Sequence, residues 1–562
     1  MRKNPSRFAP GGVFFCVLSQ TSSQRIVGDY TPPSHESFAG KEIDQKGSNY
    51  RMDKKDDRWQ VRLGVDYTNT FAEKHMVTLN LSGEMEERKS DAVNWAAVGF
   101  MNDAVSHPSM ALSYPAEGMP GGSETTTRRI GLLFSGNYYY DMRFFLDASI
   151  RVDGSSSFGK ESRYAPFFSV GGGWTVTNER FMYGCSNVIN NLKLRGSYGV
   201  SGNMGFSPEE ALATYKLETN VSYLSGMGAY LQTFGNPELK WQNTHQWNVG
   251  VDLGLWNDLL QFQLNYYTKR TNNTVSEMML PISHGVEMCK ANIGVIRNEG
   301  YELNVTANII RDLEREFTWN VTGRFSRNIN TVVKLSDTYR EAQLQYDNQK
   351  MSGHETFYKY QEGRSMDAIY GLRTIGVDPL TGKRLYLTHD GQVTLRQRMV
   401  DMVYLGESQP KVNGTISTSL LYKGITLNVG FAVRLGGKQF NSTLLARTEN
   451  ADFLYNLDRR ILNGCWEKPG DYALFTKMDP SPYRDYTNVC DMFVQRDNVL
   501  QCTNINVGYQ FPKVFTKKYL GMESLTVSAN LSDIFYISTI KRERGIDYPF
   551  SRNPNFSISC SF

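Results

Sequence analysis

No stretch of about 18 apolar residues occurs in the 562-residue chain, so no segment reads as a membrane-spanning helix. A transmembrane barrel stays open, because it crosses with shorter, alternating strands. Proline is sparse, at 19 residues, which removes one obstacle to long strands. Seven cysteines are present and none forms a CxxC pair, which leaves zinc-ribbon and thioredoxin chemistry without support. Cys490 and Cys502 could pair in an oxidising compartment; free thiols are the expectation. The seven histidines (His35, His75, His107, His245, His284, His354, His389) include no HExxH and no other i, i+4 pair. Neither a GxSxG elbow nor a phosphate-binding loop occurs. Asp56-Asp57 and Glu86-Glu87 read as solvated carboxylates, and Gly171-Gly172-Gly173 as a strand glycine cluster near a bend. No enzyme, metal or cofactor is therefore expected. An excess of one charge is also missing: 61 Lys and Arg face 57 Asp and Glu, and they are dispersed, which excludes a nucleic-acid partner.

What is present favours strands. Aromatics reach 12 %, with 32 Tyr and 30 Phe, beside 49 Gly. Mean hydropathy is −0.44, as expected where apolar and polar residues take turns along each strand. Period-two segments recur at Val61–Tyr67, Ile130–Tyr138, Phe144–Val152, Leu192–Val200, Trp247–Leu255, Phe317–Phe325, Leu427–Val433 and Leu525–Leu531. The pattern predicts about 15 strands of about 8–12 residues, the length a tilted strand needs to cross a bilayer. The connections mostly alternate, the exceptions being the short loop Asp153–Arg163 and two longer turns near Asn178–Asn191 and Pro512–Ser524. Asp141-Met142, Asn257-Asp258, Arg311 to Glu316 and Lys423-Gly424 are short; Glu84–Arg128, Ser201–His245, Thr271–Gly300, Thr331–Val412 and Gly436–Leu500 are long. Outer-membrane barrels have this asymmetry of short periplasmic turns and long outer loops.

Aromatics crowd the short-turn side at Tyr138-Tyr139-Tyr140, Phe144-Phe145, Trp256 and Tyr422. An interfacial girdle has this look, although strand-end aromatics also occur in β-sandwiches. Phe556, Ile558, Cys560 and Phe562 share one face of the last strand. They are expected to act as an assembly signal read by the outer-membrane insertion machinery. Among loop aromatics, Tyr223, Tyr230 and Trp241 are candidates for substrate contact; the alternative is packing within the loops.

Several blocks resemble the SusC/RagA-type TonB-linked outer-membrane receptors of Bacteroidetes. Arg151-Val152-Asp153-Gly154-Ser155-Ser156-Ser157-Phe158-Gly159 is similar to that family's RxDGSSRFG block, followed by Phe167-Phe168-Ser169-Val170 and Gly173-Trp174. Leu192 to Asn203 resembles LKLRxSYGxTGN and includes Tyr198, Gly202 and Asn203. Asn236-Pro237-Glu238-Leu239-Lys240-Trp241-Gln242 resembles NPxLKWE, Asn298 to Glu302 an NxGxE strand start, and Tyr548-Pro549 with Arg552 the approach to the last strand. The resemblance implies an all-β fold, a transmembrane antiparallel β-barrel of 22 strands with a plug. It also implies uptake of oligosaccharides or peptides with a SusD-like lid lipoprotein, driven through TonB.

The sequence departs from that pattern before Trp59. Met1–Gln24 does not read as a signal peptide, because its apolar core Val13–Leu18 is short and follows Pro10. Plug and TonB box are not found, so TonB would act only through a missing N-terminal region. The expected division is a poorly defined segment over 1–58, a loop or the remnant of an earlier strand, and a barrel portion over 59–562. That portion would be the C-terminal part of the barrel, in contact with outer-membrane lipid. An odd strand count would point the same way, since it cannot close without a mispaired edge. After Asp378-Pro379-Leu380-Thr381-Gly382, a calcium loop aligned on Gly391 keeps only Asp390 as an anionic ligand, beside Tyr386, Thr388 and Gln397, so no calcium is expected. The competing reading is a soluble or surface-attached β-rich glycan-binding protein or hydrolase, which leaves the alternating connections unexplained.

Overall fold

Alternating residues on an extended chain point to opposite faces, so each period-two segment can wet one face and bury the other in lipid. The computed structural model describes residues 12–114, 121–156, 163–203, 213–223, 226–233, 236, 239–279, 285, 288–312, 314–347, 359–454, 457–481, 485–541 and 551–562. The first strands are β1 (Gly12–Thr31), β2 (Ser48–Phe71), β3 (His75–Val98), β4 (Gly121–Tyr140), β5 (Phe144–Ser155), β6 (Tyr164–Thr175) and β7 (Ile189–Asn203). A small hairpin follows, β8 (Thr214–Tyr223) with β9 (Gly226–Thr233), then β10 (Gln242–Leu255), β11 (Leu260–Met279), β12 (Met288–Asp312) and β13 (Phe317–Leu335). The connection after β13 carries α1 (Asp337–Asp347) and the short strands β14 (Ala368–Gly371), β15 (Arg373–Val377), β16 (Arg384–Leu387), β17 (Val393–Thr394) and β18 (Val403–Glu407). The chain ends with β19 (Val412–Tyr422), β20 (Ile425–Phe440), β21 (Val494–Gln510), β22 (Ser524–Ser538) and β23 (Asn555–Ser561).

Sixteen of these form one sheet in the order β1 to β7, β10 to β13, β19 to β23, each paired antiparallel to its neighbours in sequence. β8–β9, β14–β18 and β15–β16–β17 are separate small sheets inside the connections. The large sheet therefore has an even number of strands, and the odd parity expected from a count of about 15 does not hold. The division at residue 58 falls inside β2, and Val13–Leu18 lies within β1. The physical reason is solvent. Over 48–58 both faces of β2 carry charged residues, so the strand continues where its hydropathy pattern has vanished. The same holds for β3 beyond Glu84 and for the first residues of β4, which read as loop from hydropathy alone.

One end of the sheet has tight turns and the other has long connections. Lys423 and Gly424 both take positive φ, 46° and 84°, as a two-residue type I′ hairpin requires. A Cβ on Gly424 would collide with the carbonyl oxygen of Gln510. Two turns at this end are longer, with short helical segments at 176–185 and 513–520. At the opposite end, the described residues of 359–411 and 441–493 pack against each other.

The two faces of the sheet differ. One presents Leu132 (56 % exposed), Ile150, Trp247 (58 %) and Val249 to the outside. Register places them together: Leu132 opposite Val152, Ile150 opposite Phe168, Val249 opposite Gly196 and Tyr266. A water-facing surface of this extent would be a strong aggregation site. Aromatics rim it at both ends. Near the turns, Phe144 stacks on Trp174 at 6.0 Å and Phe317 meets Tyr422 at 5.3 Å. Towards the long connections, Tyr198 lies 4.4 Å from Trp247 and Tyr266 lies 5.1 Å from Tyr301. From Trp247 to Trp256 the chain covers ~30 Å of strand. At ~40° tilt that is ~23 Å along the membrane normal, close to the ~25 Å of an outer-membrane apolar band.

Leu132→Arg should cost about 2–4 kcal/mol of barrel stability if its face meets lipid, against at most about 0.5 kcal/mol at an ordinary wet site. Denaturant titration of the detergent-folded chain in lipid vesicles distinguishes the two, and a neutral substitution would overturn the lipid assignment.

Candidate functional site

The face opposite the apolar band is polar along its length. Ser149 and Ser169 share a hydrogen bond at 2.7 Å, and Arg195 reaches Asp252 at 3.3 Å from both Nε and Nη2. Arg195 also donates to Asn265. The Tyr267 hydroxyl donates to Asn328 at 3.0 Å, and Asn328 and Asn330 both donate to Asn298 Oδ1, at 3.2 and 2.8 Å. A cavity of about 310 Å³ opens on this face beside Asn265, Glu302, Asn304, Arg324 and Ser326. Amides, hydroxyls and charges in such density form a water-compatible wall that can pass or hold polar solutes.

The motif residues sit at the long-connection end of β5 to β7. Arg151 Nε donates to Asp153 at 2.6 Å, two positions along the same face of β5. Both side chains lie over Gly131, where a Cβ would meet the Asp153 carboxylate at 2.8 Å. Gly154 is overlaid by the Tyr164 ring, 2.6 Å from where a Cβ would stand, and Ser155 is buried. The Tyr198 hydroxyl bonds His245 Nδ1 at 2.9 Å. Gly202 lies under Phe167, which would collide with any Cβ there, and Phe167 meets Trp241 edge-on at 5.7 Å. Asn203 pairs through its backbone with Gln242. These residues therefore build the rim of the wall.

Of the loop aromatics, Trp241 packs on Phe167, which fits the packing alternative. Tyr230 on β9 is half-exposed, and the Tyr223 backbone pairs with Gly226. Tyr548 and Pro549 lie outside the described residues, whereas Arg552 donates to the Ile534 carbonyl at 2.8 Å. On β23, Phe556 faces Ala529 and Ile558 faces Val527, both on the apolar face and about three-quarters exposed; Phe562 is also exposed. The described cysteines, Cys490 and Cys502 included, are free thiols.

Hydropathy did not reveal the folded cluster over the long-connection end. Leu372, Tyr386, Met402, Leu445, Phe475, Cys490 and Phe493 form its apolar core. Beside that core lies an ion pair, Arg384 with Glu449, whose side chains are 3 % and 0 % exposed. Arg384 Nε donates to Glu449 at 3.1 Å and Nη2 to the Leu474 carbonyl at 2.8 Å. Thr487 Oγ1 and the Thr476 N–H donate to the same carboxylate, at 2.6 and 3.2 Å. With its lone pairs met, the buried charge is tolerated. Burial works against the Arg384 charge, but the hydrogen bond and field of Glu449 outweigh it and raise its pKa. Burial pushes the Cys490 thiol up to about 12. Asp401, 2 % exposed, resists the upward pull of burial because Arg398 and the His389 N–H hold its carboxylate below the ordinary range. The Asp390-Gly391 segment makes the turn between β16 and β17, with the Thr388 N–H on the Gln392 carbonyl at 2.9 Å. Polarity in these stretches alternates with buried contacts that come from the other loop, so no single segment carried the signal.

Glu449→Gln should loosen the cluster by about 3–5 kcal/mol, because Arg384 is left buried without a counter-charge. Hydrogen exchange should rise over 384–402 and 441–493 and stay unchanged in β4 to β7. Acid has a related effect. Asp401 is held below its unfolded pKa, so its contribution is complete above about pH 4 and fades as pH falls through the native value. Protection should follow that course in the native chain, and Asp401→Asn should remove that part of the pH dependence.

Comparison with known proteins agrees with this geometry. The family model described as TonB dependent receptor-like, beta-barrel matches residues 13–530. TonB-dependent receptor P39 of Formosa agariphila is 25 % identical over 519 residues, 84 % of this chain and 48 % of that protein. SusC of Bacteroides thetaiotaomicron is 26 % identical over 476 residues, 76 % of this chain and 42 % of that protein. A solved structure of the RagAB peptide transporter superposes with a TM-score of 0.76 at 20 % identity, covering 94 % of this chain and 56 % of that one. The chain thus spans about half the length of the curated relatives it matches. An exposed apolar band, a polar opposite face and alternating connections are what that match describes: the chain belongs to the TonB-dependent receptor-like β-barrel family of the outer membrane.

Proposed function

We propose that this chain forms the wall and surface-loop cluster of an importer for oligosaccharides or peptides, working with a SusD-like lid lipoprotein. The carrying observation is the two-faced sheet: apolar side chains outward to lipid and hydrogen-bonding side chains on the other face. A chain so built moves polar cargo past hydrocarbon and needs no catalytic step. The likeness to SusC and to the RagAB peptide transporter supports the cargo classes and the partner. With short turns in the periplasm, the cluster formed by the described residues of 359–411 and 441–493 stands outside the cell, where a lid would meet it. In the same orientation β23 descends and Phe562 lies at the periplasmic end, beside the start of β22. Phe556, Ile558 and Phe562 then present an apolar edge to the insertion machinery. Tyr230 remains a candidate cargo contact, and Trp241 packs on Phe167 at the rim.

Co-expression of the full chain with a SusD-like lipoprotein should yield a complex that survives detergent extraction and affinity purification. Recovery of the chain in the soluble fraction without detergent, or extraction without the lipoprotein, would count against the reading. Deletion of Phe562 should lower the yield of membrane-inserted chain several-fold; an undiminished yield would remove its assembly role.

A further inference from the structure

The strands β2, β3 and β4 rise beyond the apolar band, and there their two faces carry different charge. On the outward face each cation is matched: Lys55 with Asp57 at 2.7 Å, Lys89 with Glu124 at 2.6 Å, Arg128 with Glu87 at 2.6 Å. On the inward face Lys54, Arg58, Arg88 and Arg129 meet only Asp56 and Glu86. Lys54 and Arg88 share Asp56, at 3.5 and 3.2 Å, and Arg58 holds Glu86 at 2.8 Å. Among the described residues Arg129 makes no ion pair, although Glu86 is its cross-strand neighbour. Arg58 and Arg88 stand directly opposite each other in the register. Like charges in that relation repel. A cavity of about 390 Å³ is lined by Arg58, Arg88 and Arg129, by the carboxylates Asp56 and Glu86, and by Gln20, Ser22 and Thr127, so three cations face two anions there. That volume is in the range of ligand sites.

We infer that this cavity is an anion subsite that takes a carboxylate group of the incoming oligomer, with Arg129 as its free fork and Arg58 and Arg88 flanking it. Arginine suits the task, because its planar fork pairs with both oxygens of a carboxylate. Glu86 and Asp56 already offset Arg58 and Arg88, so the positive charge left over in the cavity lining for an incoming anion is that of Arg129. The inference rests on the importer reading and narrows its cargo to chains that carry negative charge. An acidic oligosaccharide and an acidic peptide offer the same group, and the test separates them.

Galacturonate trimer, glutamate tripeptide and, as a neutral reference, maltotriose are titrated into the detergent-solubilised full chain. At least one acidic trimer should bind more tightly than maltotriose, and should weaken with added salt. Arg129→Gln should reduce that affinity roughly 10- to 100-fold, the range of a charge-assisted hydrogen bond. Arg129→Lys should fall between, since it keeps the charge and loses the fork. Arg128→Gln, one residue away on the outward face, should leave the affinity unchanged. The acidic trimer that responds identifies the source of the carboxylate. Equal binding of acidic and neutral trimers, or equal effects of Arg129→Gln and Arg128→Gln, would overturn the subsite. An Arg129-dependent affinity without lipoprotein co-purification would instead overturn the importer reading and keep the subsite.

Discussion

Backbone hydrogen bonding is the constraint on which the structure depends. In hydrocarbon no water is present to satisfy an open N–H or carbonyl, so a crossing strand must be paired on its flanks. The large sheet meets that demand for the strands between its two ends, each paired on both flanks, while β1 and β23 are paired on one flank among the described residues. Consecutive pairing dictates hairpins, and hairpins dictate alternating ends. Once the backbone is committed, side chains can differ only by face. One face becomes the apolar band with its aromatic rims, and the other becomes the amide- and hydroxyl-rich wall.

Beyond the band the same backbone meets water on both faces, and the design changes. β2 and β3 continue for many residues with charges on each side, held by cross-strand ion pairs such as Arg58–Glu86 and Arg128–Glu87. Exposed pairs of this kind contribute little stability, but they keep long hairpins soluble and fix which sign faces the cavity. The described residues of 359–411 and 441–493 solve a different problem. They bury a small apolar core of their own, and the Arg384–Glu449 pair joins β16 to the second connection with three further polar groups, the Leu474 carbonyl, Thr487 Oγ1 and the Thr476 N–H. A fully hydrogen-bonded buried pair specifies one docking of the two loops. A surface that receives cargo or a lid needs such definition.

The motif blocks make structural sense as parts of one rim. Gly202 leaves room for Phe167, Phe167 supports Trp241, and Gly154 leaves room for Tyr164. Arg151 and Asp153 cover the space that Gly131 leaves open. None of these contacts is between neighbours in sequence, so the blocks recur as patterns whose reason appears only when β4 to β10 are side by side. The sequence resemblance therefore picked out these blocks without giving the work of each residue.

Sequence alone determined the architecture, because period-two hydropathy and loop lengths are local properties of a strand that meets lipid on one side. It carried the apolar face, the short and long ends and the family resemblance. It lost β1 and the upper halves of β2, β3 and β4, since a strand wetted on both faces has no hydropathy period. Tertiary structure decided the rest: the even count of sixteen strands, the second aromatic rim and the loop cluster with its buried pair. It also brought Arg58, Arg88 and Arg129 onto one inward surface from three segments up to 71 residues apart. Charge pairing across strands depends on register, and register is set by the whole sheet rather than by any one of its segments.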